Sequence, residues 1–280
     1  MTVYPDFYDA FQCTASACRH TCCRGWEIDI DGETAARYRA LSGPLGERLR
    51  AAIDWSGEPA AFRLTPDERC PFLRDDGLCE LIRAAGSEDI LCDVCALHPR
   101  FFTETGGFTL AGLGLCCEEA CRLLLSSRAP LLFAAEGGAV PLAALTGGAF
   151  APEQLRFMPR TDAHTARALL ESYARTEPID DAWTARLDAL RADVPGCVRA
   201  MQAYEKDFDC AVFDRVLQYI LYRQLDRLET DGPDVLARYA QDAAQFIFLT
   251  AAVTGDLPEA VRRWSEQIEY STENVDLLLE

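Results

Sequence analysis

The chain has 280 residues, a formal net charge of −18 and thirteen cysteines. That length buries a core without covalent staples. The charge disfavours nucleic acid and anionic membrane as partners, because both need a positive footprint; it suits a cationic partner such as a lysine-bearing protein.

The N-terminus, Met1 to Asp9, has no basic start and no apolar stretch, so no signal peptide is expected. No apolar run is long enough to span a membrane. The expected compartment is the cytoplasm, where thiols stay reduced and clustered cysteines more often ligate metal than pair with each other.

Tyr4, Phe7, Tyr8 and Phe11 make the first residues aromatic and are expected to pack them against the cysteine region. Residues 27–32 alternate apolar and polar and end in Asp31-Gly32, a short strand and turn. Ala36, Tyr38, Leu41, Leu45, Leu49 and Ile53 follow at helical spacing, and Ser42-Gly43-Pro44 breaks them into two helices. Residues 60–64 predict a strand. Asp75-Asp76-Gly77 predicts a turn, and a helix follows from Leu78 to Ala85 with Cys79 in its first turn. There the helix dipole and free N–H groups favour a thiolate. Residues 87–97 predict one more helix carrying Cys92 and Cys95 on one face, stopped by His98-Pro99.

Residues 101–105 and 108–111 flank Gly106-Gly107 and predict a β-hairpin. A helix is expected over 118–126. Residues 127–152, with Glu136-Gly137-Gly138 and Thr146-Gly147-Gly148, read as a junction. Helices are expected at 163–175, 181–191, 208–228, 233–253, 257–268 and 273–279. The fold class is therefore mostly α with minor β. A cysteine-rich, cluster-binding region of hairpin and short helices is expected over 1–126, packed on a helical region over 127–280.

Eleven cysteines lie before residue 122: Cys13, Cys18, Cys22, Cys23, Cys70, Cys79, Cys92, Cys95, Cys116, Cys117 and Cys121. Their crowding argues for an inorganic centre ahead of disulfides. Zinc sites show two Cys-x2-Cys knuckles, and only Cys92-x2-Cys95 has that spacing. A cubane iron–sulfur cluster also takes four thiolates and tolerates wider spacings. His20 and His98 sit near cysteines and are further candidate ligands. Cys197 and Cys210 are expected to be buried packing residues. Ala111-Gly112-Leu113-Gly114 is a weak echo of a nucleotide-binding turn, which close packing of the hairpin explains equally well. No hydrolase or P-loop motif is present.

The gathered residues resemble the flagellin lysine-N-methylase family. The resemblance rests on Cys13-x4-Cys18-x3-Cys22-Cys23-x-Gly25-Trp26-x-Ile28-x-Ile30-Asp31, on Cys70-Pro71-Phe72-Leu73 with Gly77-x-Cys79, and on Cys95-x2-His98-Pro99-Arg100. It extends to Cys117-Glu118-Glu119-Ala120 and to the closing Trp264-Ser265-Glu266-Gln267-Ile268-Glu269-Tyr270-Ser271-x-Glu273-Asn274. The cysteine pattern is shared with a broader group of zinc- or iron-chelating proteins. The resemblance implies methyl transfer from S-adenosylmethionine to lysines of flagellin, dependent on a [4Fe–4S] cluster. It implies metal ligands among Cys13, Cys18, Cys22, Cys23, Cys70, Cys79, Cys95 and Cys117, with Cys92, Cys116 and Cys121 as extras. Glu27, Asp29, Tyr270 and Glu273 lie in the resembling segments and are candidates to accept the lysine proton. A non-catalytic zinc- or iron-chelating protein is the alternative.

Overall fold

The structure is a computed structural model that describes residues 1–135 and 137–280. The chain folds into two compact units: residues 12–99, and residues 1–11 together with 100–280. This division differs from the border expected at residue 126. The class is the expected one, mostly helical with two small sheets. Among the described residues no helix is long and apolar enough to cross a membrane.

The chain opens with β1 (Thr2–Pro5), which belongs to the larger unit. The smaller unit follows. Its β2 (Asp29–Ile30) leads into α1 (Gly32–Ala40) and α2 (Gly43–Ala52), then β3 (Ile53–Asp54) and β4 (Ala60–Phe62). The three strands pair antiparallel in the order β2-β4-β3. α1 and α2 are the two helices expected around Gly43-Pro44. Ile28, Ile30, Tyr38, Leu49, Phe62, Phe72 and Leu81 form the core of this unit.

α3 (Glu80–Ala85) and α4 (Asp93–Leu97) complete it. The single helix expected over 87–97 is instead a 3-10 turn at Glu88–Ile90 followed by α4. The cause lies in α1. Tyr38 Oη donates to the Ile90 carbonyl at 2.6 Å, and Arg37 donates to the Leu91 carbonyl at 3.0 Å. These carbonyls are held by side chains, so the backbone stays extended until Cys92 caps α4.

The larger unit continues with the predicted hairpin, β5 (Arg100–Thr105) and β6 (Phe108–Leu113), and with α5 (Glu118–Leu125). The stretch read as a junction then supplies β7 (Leu132–Ala135), β8 (Gly138–Pro141) and α6 (Leu142–Leu145). Glu136, part of that expected junction, lies outside the described residues. The strands form a sheet in the order β5-β6-β1-β7-β8, with β1 parallel to β6 and antiparallel to β7. Composition hid β7, whose Phe133 is buried and stacks on Tyr222 at 4.4 Å.

The helical part contains α7 (Ala163–Tyr173), α8 (Asp181–Ala192), α9 (Val194–Tyr204), α10 (Cys210–Arg223), α11 (Leu228–Asp231), α12 (Pro233–Thr254), α13 (Leu257–Ile268) and α14 (Thr272–Leu279). α9 is not among the expected helices, and it begins at Val194-Pro195-Gly196. Proline is tolerated in a first helical turn, and Asp193 caps it by accepting from the Gly196 N–H at 2.8 Å. α12 is apolar on most of its circumference and buried accordingly.

The N-terminal aromatics pack in the larger unit, in one core with Leu110 and Cys121 of the expected cysteine-rich region and with helices beyond it. Phe7 meets Tyr219 edge-on at 5.2 Å, and Arg100 lies over Tyr8 and Phe11. Cys197 is buried as expected. Cys210 is exposed, contrary to expectation, because it opens α10 on the solvent side rather than on the apolar face.

Candidate metal centre

Local backbone geometry, rather than sequence proximity, brings the thiols of the smaller unit together. Cys70 N–H donates to the Cys23 carbonyl at 2.8 Å, beside the bridge between Arg24 and Arg69. The turn Cys70-Pro71-Phe72-Leu73 closes with Leu73 N–H on the Cys70 carbonyl at 3.0 Å, and Leu73 then bridges Cys79. Cys23, Cys70 and Cys79 thus come from three separate stretches to one place. Gly77 makes the approach. Its φ is +77°, and a Cβ there would stand 3.3 Å from the Ser16 Cα.

Cys79 caps α3 and Cys92 caps α4, so each thiol sits at a helix start where free N–H groups gather. The backbone N–H groups of Phe72 and Leu73 near Cys70, and of Ile82 and Leu81 near Cys79, act to lower the two thiols' pKa. Burial nevertheless pushes the Cys70 thiol up to about 11 and raises Cys79. The hydrogen bond from the Cys22 thiol lowers Cys23 to about 7. Cys92 and Cys95 share a hydrogen bond across one turn. It eases the first deprotonation, at Cys92, to about 7, and the charge left behind opposes the second, at Cys95. Cys95 also feels Cys70 and Cys23, which ties both pairs into one electrostatic group.

Electrostatic interaction therefore links five thiols: Cys23, Cys70, Cys79, Cys92 and Cys95. Cys92, counted as an extra from the resemblance, is among them and is fully buried. Cys22 joins through Cys23. Cys13 is exposed and accepts from its neighbour Ala15 N–H at 3.4 Å, while the Cys18 thiol lies 3.1 Å from the His20 carbonyl. Burial lowers the pKa of His98. Cys117 lies in the larger unit, where it caps α5 next to Cys116 and Cys121.

A single zinc ion holds each sulfur at about 2.3 Å. Among the described residues no three His, Cys, Asp or Glu side chains are gathered for one ion. A cubane takes four thiolates, one on each iron, and Cys23, Cys70, Cys79, Cys92 and Cys95 are the thiols linked by electrostatic interaction in this unit.

The candidate proton acceptors differ from one another. Glu27, Asp29 and Glu273 are exposed. Tyr270, in the larger unit, exposes 42% of its surface, yet its hydroxyl meets the buried Cys116 thiol. Gly112 is explained by packing, since a Cβ there would overlap the Phe101 ring and the Tyr219 hydroxyl.

Over 133 residues, 44% of its length, the chain is 29% identical to the lysine-N-methylase of Salmonella typhimurium and to that of Salmonella choleraesuis. Over that stretch the chain is similar to the lysine-N-methylases. It is also 28% identical over 133 residues to the flagellar biosynthetic protein FliU of Salmonella muenchen, covering 75% of that protein. The chain spans about a third, 32%, of the length of the two lysine-N-methylases it matches. No family model and no solved structure matches it. The resemblance to the lysine-N-methylases read from the sequence is borne out.

Proposed function

We propose that this chain is a protein-lysine N-methyltransferase that acts in the cytoplasm, moves the methyl group of S-adenosylmethionine to lysine side chains of flagellin and holds a [4Fe–4S] cluster on its cysteines. The observation that carries this reading is the similarity to two lysine-N-methylases and a flagellar biosynthetic protein. Four of Cys23, Cys70, Cys79, Cys92 and Cys95 would hold the cluster. When bound, it supplies a redox-active, Lewis-acidic inorganic centre.

The chain's own residues have two further tasks. Methyl transfer forms the N–C bond as the C–S bond breaks, and the electron pair of the broken bond stays on sulfur. The amine must be neutral and in line with the methyl group. A side chain or solvent must therefore take the ammonium proton first. At the exposed Glu27, Asp29 and Glu273 water serves as well as protein. Tyr270 is the candidate with a buried polar partner. The charge of −18 draws a lysine-bearing surface towards the protein.

Co-expression with flagellin, followed by mass spectrometry of its lysine peptides, tests the reading. A methyl gain on lysine that disappears without this chain is the expected result. Absence of that gain from an anaerobically prepared, iron-loaded protein would sink the enzyme and leave a chelating protein. Zinc in place of iron on metal analysis would remove the cluster.

A further inference from the structure

Most of the closing segment that resembles the family serves packing. Trp264 Nε1 donates to Tyr173 Oη at 2.8 Å, Gln267 Oε1 accepts from the Ile179 N–H at 2.8 Å, and Asn274 Nδ2 donates to the Glu177 carbonyl at 3.0 Å. Glu269 is different. Its side chain is 1% exposed, one oxygen accepts from Ser265 Oγ, and the other lies 3.5 Å from Arg223 Nε without hydrogen-bond geometry. Arg223 ends α10. Its guanidinium is held between the rings of Phe101, at 4.4 Å, and Tyr270, at 5.1 Å. Nη2 donates to the Glu269 carbonyl at 3.3 Å, while Nη1 is buried with no partner. Tyr239 of α12 completes the group. Its hydroxyl is buried without a partner, and both charges act on it.

Among the described residues, four buried side-chain polar atoms lack a hydrogen-bond partner, and three of them are Arg223 Nη1, Glu269 Oε1 and Tyr239 Oη. Such atoms are rare and normally satisfied. The three are contributed by α10, α12 and the end of α13, and Glu269 Oε1 and Arg223 meet only as an ion pair at 3.5 Å, which leaves hydrogen-bonding capacity for a ligand.

We propose that this cluster binds the α-amino-acid head group of a small molecule, with the carboxylate on Arg223 Nη1 and the ammonium on Glu269 Oε1 and Tyr239 Oη. The unfilled positions are one cationic donor, one anionic acceptor and one hydroxyl. A lone anion would be repelled by Glu269, and a lone cation by Arg223. A zwitterion whose two charges are separated by one carbon answers both and leaves no position empty. The Tyr270 ring is the partly exposed outer wall, so entry is past that ring. The proposal rests on the reading above in naming the ligand: S-adenosylmethionine carries such a head group, and the cluster holds its methionyl end.

The test uses the full chain and three probes. S-adenosylhomocysteine carries the head group, 5′-methylthioadenosine lacks it, and L-methionine is little more than the head group. Calorimetry on the wild type should give S-adenosylhomocysteine an affinity at least roughly tenfold above that of methylthioadenosine. Glu269→Gln and Tyr239→Phe should each remove most of that advantage and leave methylthioadenosine unchanged. Tyr239→Phe also deletes an unpartnered buried hydroxyl, so the melting temperature without ligand should hold or rise, which a purely structural role would not allow. Unchanged S-adenosylhomocysteine binding in both variants would overturn the site and leave the donor reading standing. L-methionine bound by the wild type and lost in Glu269→Gln, with no adenosyl compound bound, would uphold the site and overturn the donor.

Discussion

At the scale of single residues, Asp31 holds two helix starts with one carboxylate. Oδ1 accepts from the Thr34 N–H at 2.8 Å and caps α1, while Oδ2 accepts from the Asp93 N–H at 3.1 Å, at the first residue of α4. Cys92 and Cys95 flank that second contact. Asp31→Ala should therefore destabilise the chain by about 1–2 kcal/mol and lower the iron retained after reconstitution. Urea unfolding and iron analysis check this, and a variant that keeps both wild-type values would refute it. Burial alone would raise the Asp31 carboxyl, but the N–H bonds outweigh it and hold its pKa below the ordinary value. The folded value is then lower than the unfolded one. The cap's contribution is complete above the ordinary carboxylate pKa of about 3.9 and is lost as pH falls through the lowered folded value. Asp31 was visible in the sequence as the end of Ile28-x-Ile30-Asp31. Its second partner was not, because Asp93 is 62 residues away.

At the scale of elements, β1 is four residues long and sits mid-sheet, so its position depends on what α10 offers it. Arg215, 2% exposed, places Nη1 and Nη2 on the Asp6 carboxylate at 3.3 and 3.1 Å and also donates to the carbonyls of Leu124 and Ala129. Tyr222 Oη lies 2.7 Å from the Val3 carbonyl oxygen. Removing one partner of a buried pair typically costs about 3–5 kcal/mol, and the part-exposed Asp6 puts this case at the low end. Arg215→Ala should thus lose about 3 kcal/mol in denaturant unfolding, and a loss below about 1 kcal/mol would show that β1 is held by strand pairing alone. The β5–β6 hairpin was legible because Gly106-Gly107 encodes its own turn. β7 was not, because its strand character comes from pairing with β1 and from Phe133 on Tyr222, both contacts with residues far along the chain, and β8 forms only by pairing with β7.

At the scale of the whole molecule, the two units differ in what holds them. Twelve buried hydrophobic residues form the core of the smaller unit among those described, two of them the cysteines Cys70 and Cys92. The larger unit has α12 running through an extensive apolar core. If the proposed cluster is bound, a core this small would lean on it, because metal-binding energy becomes folding energy. Removing the proposed cluster with an iron chelator should then speed amide hydrogen exchange in residues 12–99 by more than roughly tenfold while α12 keeps its protection. Equal protection in both forms would show that the thiols add nothing to the fold.

The sequence alone determined the features that local chemistry writes: the helical periodicity, the Gly-Gly hairpin, the break at Gly43-Pro44, and a thiol-rich segment too crowded for packing. It also carried the family resemblance, since cysteine spacing survives without knowledge of the fold. Tertiary structure alone decided which thiols meet. Cys92 is tied to Cys95 and Cys117 lies in the other unit, while the backbone bridges at Arg24–Arg69 and Leu73–Cys79, which no spacing encodes, bring Cys23, Cys70 and Cys79 together. The same holds for Arg223, Glu269 and Tyr239. Each reads as an ordinary helix residue, and only helix packing makes them one buried group with three unanswered polar atoms.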